Sequence, residues 1–133
     1  MDKYEYTKEW LIYAERDFSS AEYLLGHRPL PMELICFLCQ QTVEKCLKGF
    51  LVLNNAVPDK THNLDNLCRS CMAFSGEFKG LLNSCNILNK YSVQPRYPNE
   101  IAIEEEDVTE AIKNARKVFE FVKPLLYKHK EDL

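Results

Sequence analysis

The sequence predicts an all-α protein, an antiparallel up-and-down four-helix bundle with one additional short helix. Apolar residues recur at intervals of three and four along each long segment, which is the period of a helix buried on one face. No run alternates apolar and polar residues as a half-buried strand does. The chain has 133 residues, enough for one core, so we expect residues 1–133 to form a single helical domain.

The first predicted helix covers about residues 5–26. Its apolar stripe consists of Trp10, Leu11, Ala14, Phe18, Ala21, Leu24 and Leu25. Gly26 is a natural helix stop, and the following Pro29-Leu30-Pro31 segment prevents the helix from continuing, because proline lacks the backbone donor that a helix interior needs.

The second predicted helix covers about residues 32–54 and is apolar over most of its circumference. A helix of this kind is usually covered on more than one side, by the core and by another subunit. One polar stripe interrupts it, made of Gln41, Glu44, Lys45 and Lys48.

The remaining predicted elements are shorter, except for the last. In chain order they are a loop over 54–60, a short helix that starts at 61–63, a helix over 78–91, an extended segment over 92–99 and a helix over 105–128. Thr61 and Asn63 are residue types that suit the N-cap of the short helix. Gly76 and Gly80 flank a break in helical structure near the start of the fourth helix. The acidic start and basic end of the last helix complement its dipole.

Composition and charge narrow the possible functions. The net charge of -3 gives no global attraction to nucleic acid, so any such ligand needs a local basic patch. No stretch approaches the roughly twenty apolar residues of a membrane span. The charged start, residues 1–5, shows no signal peptide, so we expect a cytoplasmic protein with no membrane partner and with reduced cysteines.

The polar stripe of the second helix is the first candidate ligand site. Its four residues are spaced so that their heads point roughly one way. Two ammonium groups and an amide could hold a phosphate and a base edge. The same four residues are also typical of a helix face that is solvated or lines an interface. Glu44 and Lys48 have the spacing of a surface ion pair, which contributes less than about 1 kcal/mol. Both interpretations stay open.

Three further residues complete the predicted ligand site. His62 is a candidate ligand contact or general base, although a histidine at this position often forms part of a helix cap. Arg96 lies between Pro95 and Pro98 in the sequence. Its guanidinium could donate hydrogen bonds to two phosphate oxygens, or it could contact carboxylates instead. Tyr97 offers a face on which a base could stack.

The six cysteines include two C-x-x-C pairs, Cys36 with Cys39 and Cys68 with Cys71. Such pairs occur in zinc modules. Both pairs lie within apolar helical runs without glycine-rich turns, and buried cysteine is common. We therefore expect core thiols, with no metal and no cofactor.

Several of these segments together resemble one known family. The run Gln40-Gln41-Thr42-Val43-Glu44-Lys45-Cys46-Leu47-Lys48 is followed by Thr61-His62-Asn63-Leu64 and later by Arg96-Tyr97-Pro98. The first helix adds a spaced pattern of Trp10, Ala14, Asp17 and Ala21. In this order the segments resemble the HEPN family (higher eukaryotes and prokaryotes nucleotide-binding domain), and the similarity covers nearly the whole chain.

The resemblance implies a helical bundle that is often dimeric and is frequently associated with a minimal nucleotidyltransferase. Several family members are toxins that cut RNA without metal, using an arginine followed, after four to six intervening residues, by a histidine. None of the five arginines has a histidine at that spacing; they are Arg16, Arg28, Arg69, Arg96 and Arg116.

We therefore expect a nucleotide or nucleic-acid-related binding module, a homodimer without chemistry of its own. It would act with a nucleotidyltransferase partner in a toxin–antitoxin-like pair. Two alternatives stay open: a metal-independent ribonuclease built around Arg96 and His62, and a purely structural dimerising protein.

Overall fold

The computed structural model describes residues 2–93 and 102–127. These ranges contain α-helices and two 3-10 segments, with no strand among them. The helices are α1 (Lys3–Leu24), α2 (Met32–Leu53), α3 (Leu64–Met72), α4 (Leu82–Leu88) and α5 (Glu105–Leu126), and the 3-10 segments Gly76–Leu81 and Asn89–Tyr91 flank α4. The predicted all-α class is confirmed.

The three long helices α1, α2 and α5 pack together as one unit. The ion pair of Asp17 with Lys45 joins α1 to α2, and nearer the start of α1 Trp10 meets Gly49, so the two helices are antiparallel. A Cβ added at Gly49 would lie 3.1 Å from both Trp10 Cβ and Leu126 Cδ1. Glycine at this position therefore lets α1 and α5 approach α2 closely.

The direction of α5 follows from its contacts with α1. The rings of Phe18 and Phe119 are 5.3 Å apart, and Nη2 of Arg116 lies 2.7 Å from Oε2 of Glu22. Later residues of α5 thus meet earlier residues of α1, and α5 is antiparallel to α1 and parallel to α2. The segment from α3 to α4 fills the remaining place in the bundle.

Local side-chain contacts fix where the helices begin. The Asn63 side chain accepts a hydrogen bond from the Asn66 backbone at 3.2 Å, which confirms Asn63 as the cap of α3. Glu104 and Asp107 form a reciprocal capping box at the start of α5. Because Asn63 is the N-cap, His62 lies in the loop just before α3 and not within the helix.

One hydrophobic core runs through all five helices. Phe78 is fully buried within it and packs on Phe50 and Phe121, with ring centroids 4.4 Å and 5.2 Å away. All six cysteines are buried free thiols. Most of α2 is buried, as its nearly continuous apolar character predicts.

The region of the predicted fourth helix differs from its prediction. Instead of one helix over 78–91, a seven-residue α4 lies between two 3-10 segments. Two glycines, three asparagines and one serine occur over 76–89. Because these residue types have low helix propensity, a long helix is not favoured there.

None of the described helices combines the length and the apolar character needed to cross a membrane.

Candidate ligand-binding site

The polar residues of α2 form a buried ion pair in the middle of the bundle. Glu44 and Lys48 are only 6% and 8% exposed. The Lys48 ammonium donates to Oε2 of Glu44 at 3.0 Å. The pair therefore differs from the solvated surface pair that the same spacing also allowed.

The loop before α3 brings His62 onto this pair. Nδ1 of His62 lies 3.0 Å from Oε1 and 3.2 Å from Oε2 of Glu44. Gln40 holds the loop there, because its amide donates to the His62 carbonyl at 3.0 Å and to Oε1 of Glu44 at 3.2 Å. Gln41 in turn donates to Oε1 of Gln40 at 2.7 Å. One hydrogen-bond network thus joins α2 to the loop, and Glu44 is its centre.

The Glu44 carboxylate is ionised at neutral pH. Burial raises the pKa of Glu44, but the hydrogen bonds from His62, Lys48 and Gln40 outweigh burial and hold the pKa below its ordinary value. An ionised carboxylate only accepts hydrogen bonds, so Nδ1 of His62 is the donor in this contact. In a neutral His62 ring, Nε2 is then an acceptor. The side chain of His62 is 63% exposed.

Lys45 leaves this network. It forms an ion pair with Asp17 of α1, with both side chains about one-fifth exposed. The expectation that the four heads of the stripe point one way is therefore wrong for Lys45. The stripe is divided between two neighbours of α2. Lys45 pairs with Asp17 of α1, whereas Glu44 contacts His62 in the loop before α3.

Two predicted site residues, Arg96 and Tyr97, lie outside the described residues.

A cavity of about 610 Å³ lies beside the network, between the start of α1, the end of α2 and the loop over 55–60. Tyr6 and Trp10 form one wall, with ring centroids 6.0 Å apart. Val52 and Ala56 add apolar surface. Lys48 belongs both to the network and to the lining of this cavity, and so connects the two.

The charges around the cavity nearly balance. Lys3 and Lys60 contribute two cations to the lining, and Asp2 and Asp59 contribute two carboxylates. The remaining lysine, Lys48, is already paired with Glu44. The cavity is therefore not a strongly basic track of the kind that binds a nucleic-acid backbone.

Several residues that the structure places around the predicted site were not predicted from the sequence. Gln40 stands next to the predicted Gln41 in the sequence, and its buried position in α2 could have been read from helical spacing. Trp10 was predicted only as part of the apolar stripe of the first helix. Tyr6 and Lys60 gave no signal, because the cavity depends on how a loop returns across two helices.

No group of three possible metal ligands among histidine, cysteine and acidic residues gathers within the described ranges. The C-x-x-C residues lie in the core. Burial raises the pKa of the Cys36 thiol to about 11 and raises the pKa of Cys39 further. Both groups therefore remain thiols at neutral pH.

Known proteins that are similar in sequence or in structure include members of the HEPN family. The sequence profile of the HEPN domain matches residues 7–125. The fold is similar to ST0689, an archaeal HEPN homologue, with 26% identity and a TM-score of 0.69 over 90% of this chain and 97% of that one. It is also similar to TT1696 from Thermus thermophilus, with 25% identity and a TM-score of 0.71 over 89% of this chain and 96% of that one. No curated protein shows significant similarity.

Proposed function

The chain belongs to the HEPN domain family, and from this premise we propose that it is a binding module for a nucleotide or nucleic-acid-related ligand. Members of this family commonly have nucleotide- or RNA-related roles. The proposal assigns no chemistry to the module itself.

The position of Lys48 is the observation that carries this proposal. Its ammonium is buried within a polar network, yet the residue also lines a cavity large enough for a small ligand. A buried lysine that reaches a cavity can place a point charge on a phosphate without first losing a full shell of water. Glu44 holds this ammonium in place at 3.0 Å when no ligand is bound.

The other predicted residues have different roles in the proposal. The exposed His62 ring offers Nε2 to a ligand, and Gln41 supports the network through Gln40. Lys45 has a supporting role, because its ion pair with Asp17 holds α1 against α2. Arg96 and Tyr97 remain proposed contacts for phosphate and base.

Calorimetric titration with ATP, AMP and GTP tests the proposal. We expect at least one nucleotide to bind the wild-type protein and Lys48→Met to weaken that binding by up to about tenfold. A hydrogen bond to a charged group contributes roughly 1.5–3 kcal/mol, and part of that contribution is already made to Glu44 in the free protein. Lys117→Met is the matched control, since Lys117 lies exposed on α5. Absence of heat with every nucleotide, or unchanged binding by Lys48→Met, would overturn the proposal.

A ribonuclease is the second candidate function, and the contact between Glu44 and His62 favours it. The carboxylate orients the ring so that Nε2, on an exposed side chain, could accept the proton of a ribose 2′-hydroxyl. Arg96 would then stabilise the charge that develops on the phosphate.

An assay on single-stranded and structured RNA in the presence of a chelator tests the ribonuclease. His62→Ala should abolish cleavage, while His27→Ala, at an exposed histidine between α1 and α2, should leave it intact. An inactive wild-type protein, or equal activity in both variants, rules out His62 as the base.

We propose that the module forms a homodimer and acts with a minimal nucleotidyltransferase in a toxin–antitoxin-like pair. Three apolar residues of α2 are partly exposed and support an interface: Leu34, Phe37 and Leu38. Light scattering of wild type and Phe37→Glu tests the dimer, and we expect the variant to be a monomer. Copurification with a tagged nucleotidyltransferase tests the partner. A dimer that binds no ligand would instead favour the purely structural role.

A further inference from the structure

We infer that the cavity between α1, α2 and the loop over 55–60 receives the planar base of a mononucleotide. This inference rests on the nucleotide-binding function proposed above and adds the part of the ligand that the cavity recognises. Three properties of the cavity lead to it: its shape, its charge and its rigidity.

The shape and lining suit a flat aromatic group. Tyr6 and Trp10 form one wall, and Val52, Ala56 and Pro58 contribute apolar surface. Every nucleobase has a π-face that stacks on aromatic side chains, and this contact generally changes affinity about fivefold to a hundredfold. The volume of about 610 Å³ lies within the usual range for small-ligand pockets.

The balanced charge argues against a simple anion. A ligand that is only a polyanion gains affinity by neutralising unpaired cations, and here two carboxylates offset Lys3 and Lys60 while Lys48 already has a partner. A nucleoside monophosphate uses both signs, because its amino group can donate to Asp59 while its phosphate accepts from a lysine. Asn55, also in the lining, can donate to or accept from a base edge.

The opposite wall is already fixed before a ligand arrives. The Ala56 backbone donates to the Leu51 carbonyl at 2.9 Å, and the Asn55 backbone donates to the Val52 carbonyl at 3.0 Å. Asn55 adopts a φ of 64°, which an asparagine tolerates better than most residues. A loop tied to the end of α2 in this way loses little conformational freedom on binding.

Fluorescence offers a direct test, because Trp10 is the single tryptophan of the chain. Emission excited where tyrosine does not absorb therefore reports on the surroundings of Trp10, which lines this cavity. We expect AMP to change the emission saturably, adenosine to do so with lower affinity, and ribose 5-phosphate and inorganic phosphate to leave it unchanged.

A pair of tyrosine variants tests the stacking wall. Tyr6→Ala should weaken AMP binding about tenfold by calorimetry, because one stacking surface is lost. Tyr13→Ala should bind AMP as the wild type does, since Tyr13 lies on the same helix with similar exposure, 52% against 43%, and does not line the cavity.

The results separate this inference from the function on which it rests. If calorimetry detects AMP but the Trp10 emission and the Tyr6→Ala affinity stay unchanged, the nucleotide binds elsewhere, and only the cavity inference is overturned. Ribose 5-phosphate binding as tightly as AMP also overturns it. If single-stranded RNA changes the emission and AMP does not, the occupant is not a mononucleotide. If no nucleotide binds at all, both proposals are overturned.

Discussion

Replacing Glu44 by glutamine tests whether the polar network stabilises the fold. The substitution keeps the size and hydrogen-bonding ability of the side chain but removes its charge. It leaves the Lys48 ammonium, 8% exposed, without its carboxylate partner at 3.0 Å. Removing one partner of a buried ion pair commonly costs about 3–5 kcal/mol.

We expect a smaller loss here, about 2–3 kcal/mol, because Lys48 lines a cavity that water can enter. For a chain of this size, such a loss lowers Tm by roughly 10 °C. Thermal and urea unfolding followed by circular dichroism measure the change. Glu15→Gln is the matched control, since Glu15 pairs with Lys123 where both side chains are more than a third exposed, and such pairs contribute about 0–1 kcal/mol.

The double variant Glu44→Gln with Lys48→Met sharpens the test. Removing both charges should recover much of the lost stability, because an apolar side chain replaces the unpaired ammonium. If Glu44→Gln costs no more than Glu15→Gln, the network does not stabilise the fold as a buried ion pair. If the double variant is less stable than Glu44→Gln alone, the loss arises from packing and not from charge.

The same network predicts how stability depends on pH. The pKa of Glu44 is lower in the folded protein than in the unfolded chain, so its contribution is fully present above the unfolded value of about 4.3. That contribution is lost as the pH falls through the lower, folded pKa. Urea unfolding over the acid range should therefore show a steeper loss for wild type than for Glu44→Gln, and parallel curves would contradict this reasoning.

Three further predictions concern packing and the thiols. Gly49→Ala should lower the free energy of unfolding by about 1–3 kcal/mol, because the new Cβ would lie 3.1 Å from neighbouring side chains. Gly80→Ala is the control, because a Cβ at Gly80 would meet no described residue within 4 Å, and thermal unfolding should show it to be nearly neutral. Phe78→Ala should cost about 3–5 kcal/mol in urea unfolding, whereas Phe74→Ala, at a side chain 49% exposed, should cost far less. The six buried thiols should react with Ellman's reagent only after denaturation. Burial also raises the pKa of Cys36 to about 11, so this group stays a thiol at neutral pH. Rapid labelling of the native protein would show instead that the core opens.

Helical periodicity was enough to locate the long helices. The predicted ranges 5–26, 32–54 and 105–128 differ from Lys3–Leu24, Met32–Leu53 and Glu105–Leu126 by no more than two residues at either end. Each has a clear apolar stripe and a clear stop or cap, and such features depend on local sequence alone. The interrupted helix over 76–91 was harder to predict, because 3-10 and α segments have similar local patterns.

The candidate site could be predicted only in part for a similar reason. The spacing of Glu44 and Lys48 was visible in the sequence, and so was His62 as a polar residue beside a short helix. Whether the pair was buried depended on the loop that returns to cover it, a contact across 18 residues. The cavity depends on that loop as well, and no periodic pattern records the path of a loop.

The arrangement of charges limits how strongly a ligand can bind. Lys48 already has a carboxylate at 3.0 Å, so an incoming phosphate must replace or share that partner and gains only the difference between the two contacts. If the phosphate draws the ammonium away, Glu44 keeps the hydrogen bonds from His62 and Gln40 and is not left unpaired. The transfer of Lys48 to a ligand therefore costs Glu44 its ammonium partner but not all of its hydrogen bonds. Such a site favours reversible binding of moderate affinity, in which recognition of the base at Tyr6 and Trp10 must supply the selectivity that a single shared lysine cannot.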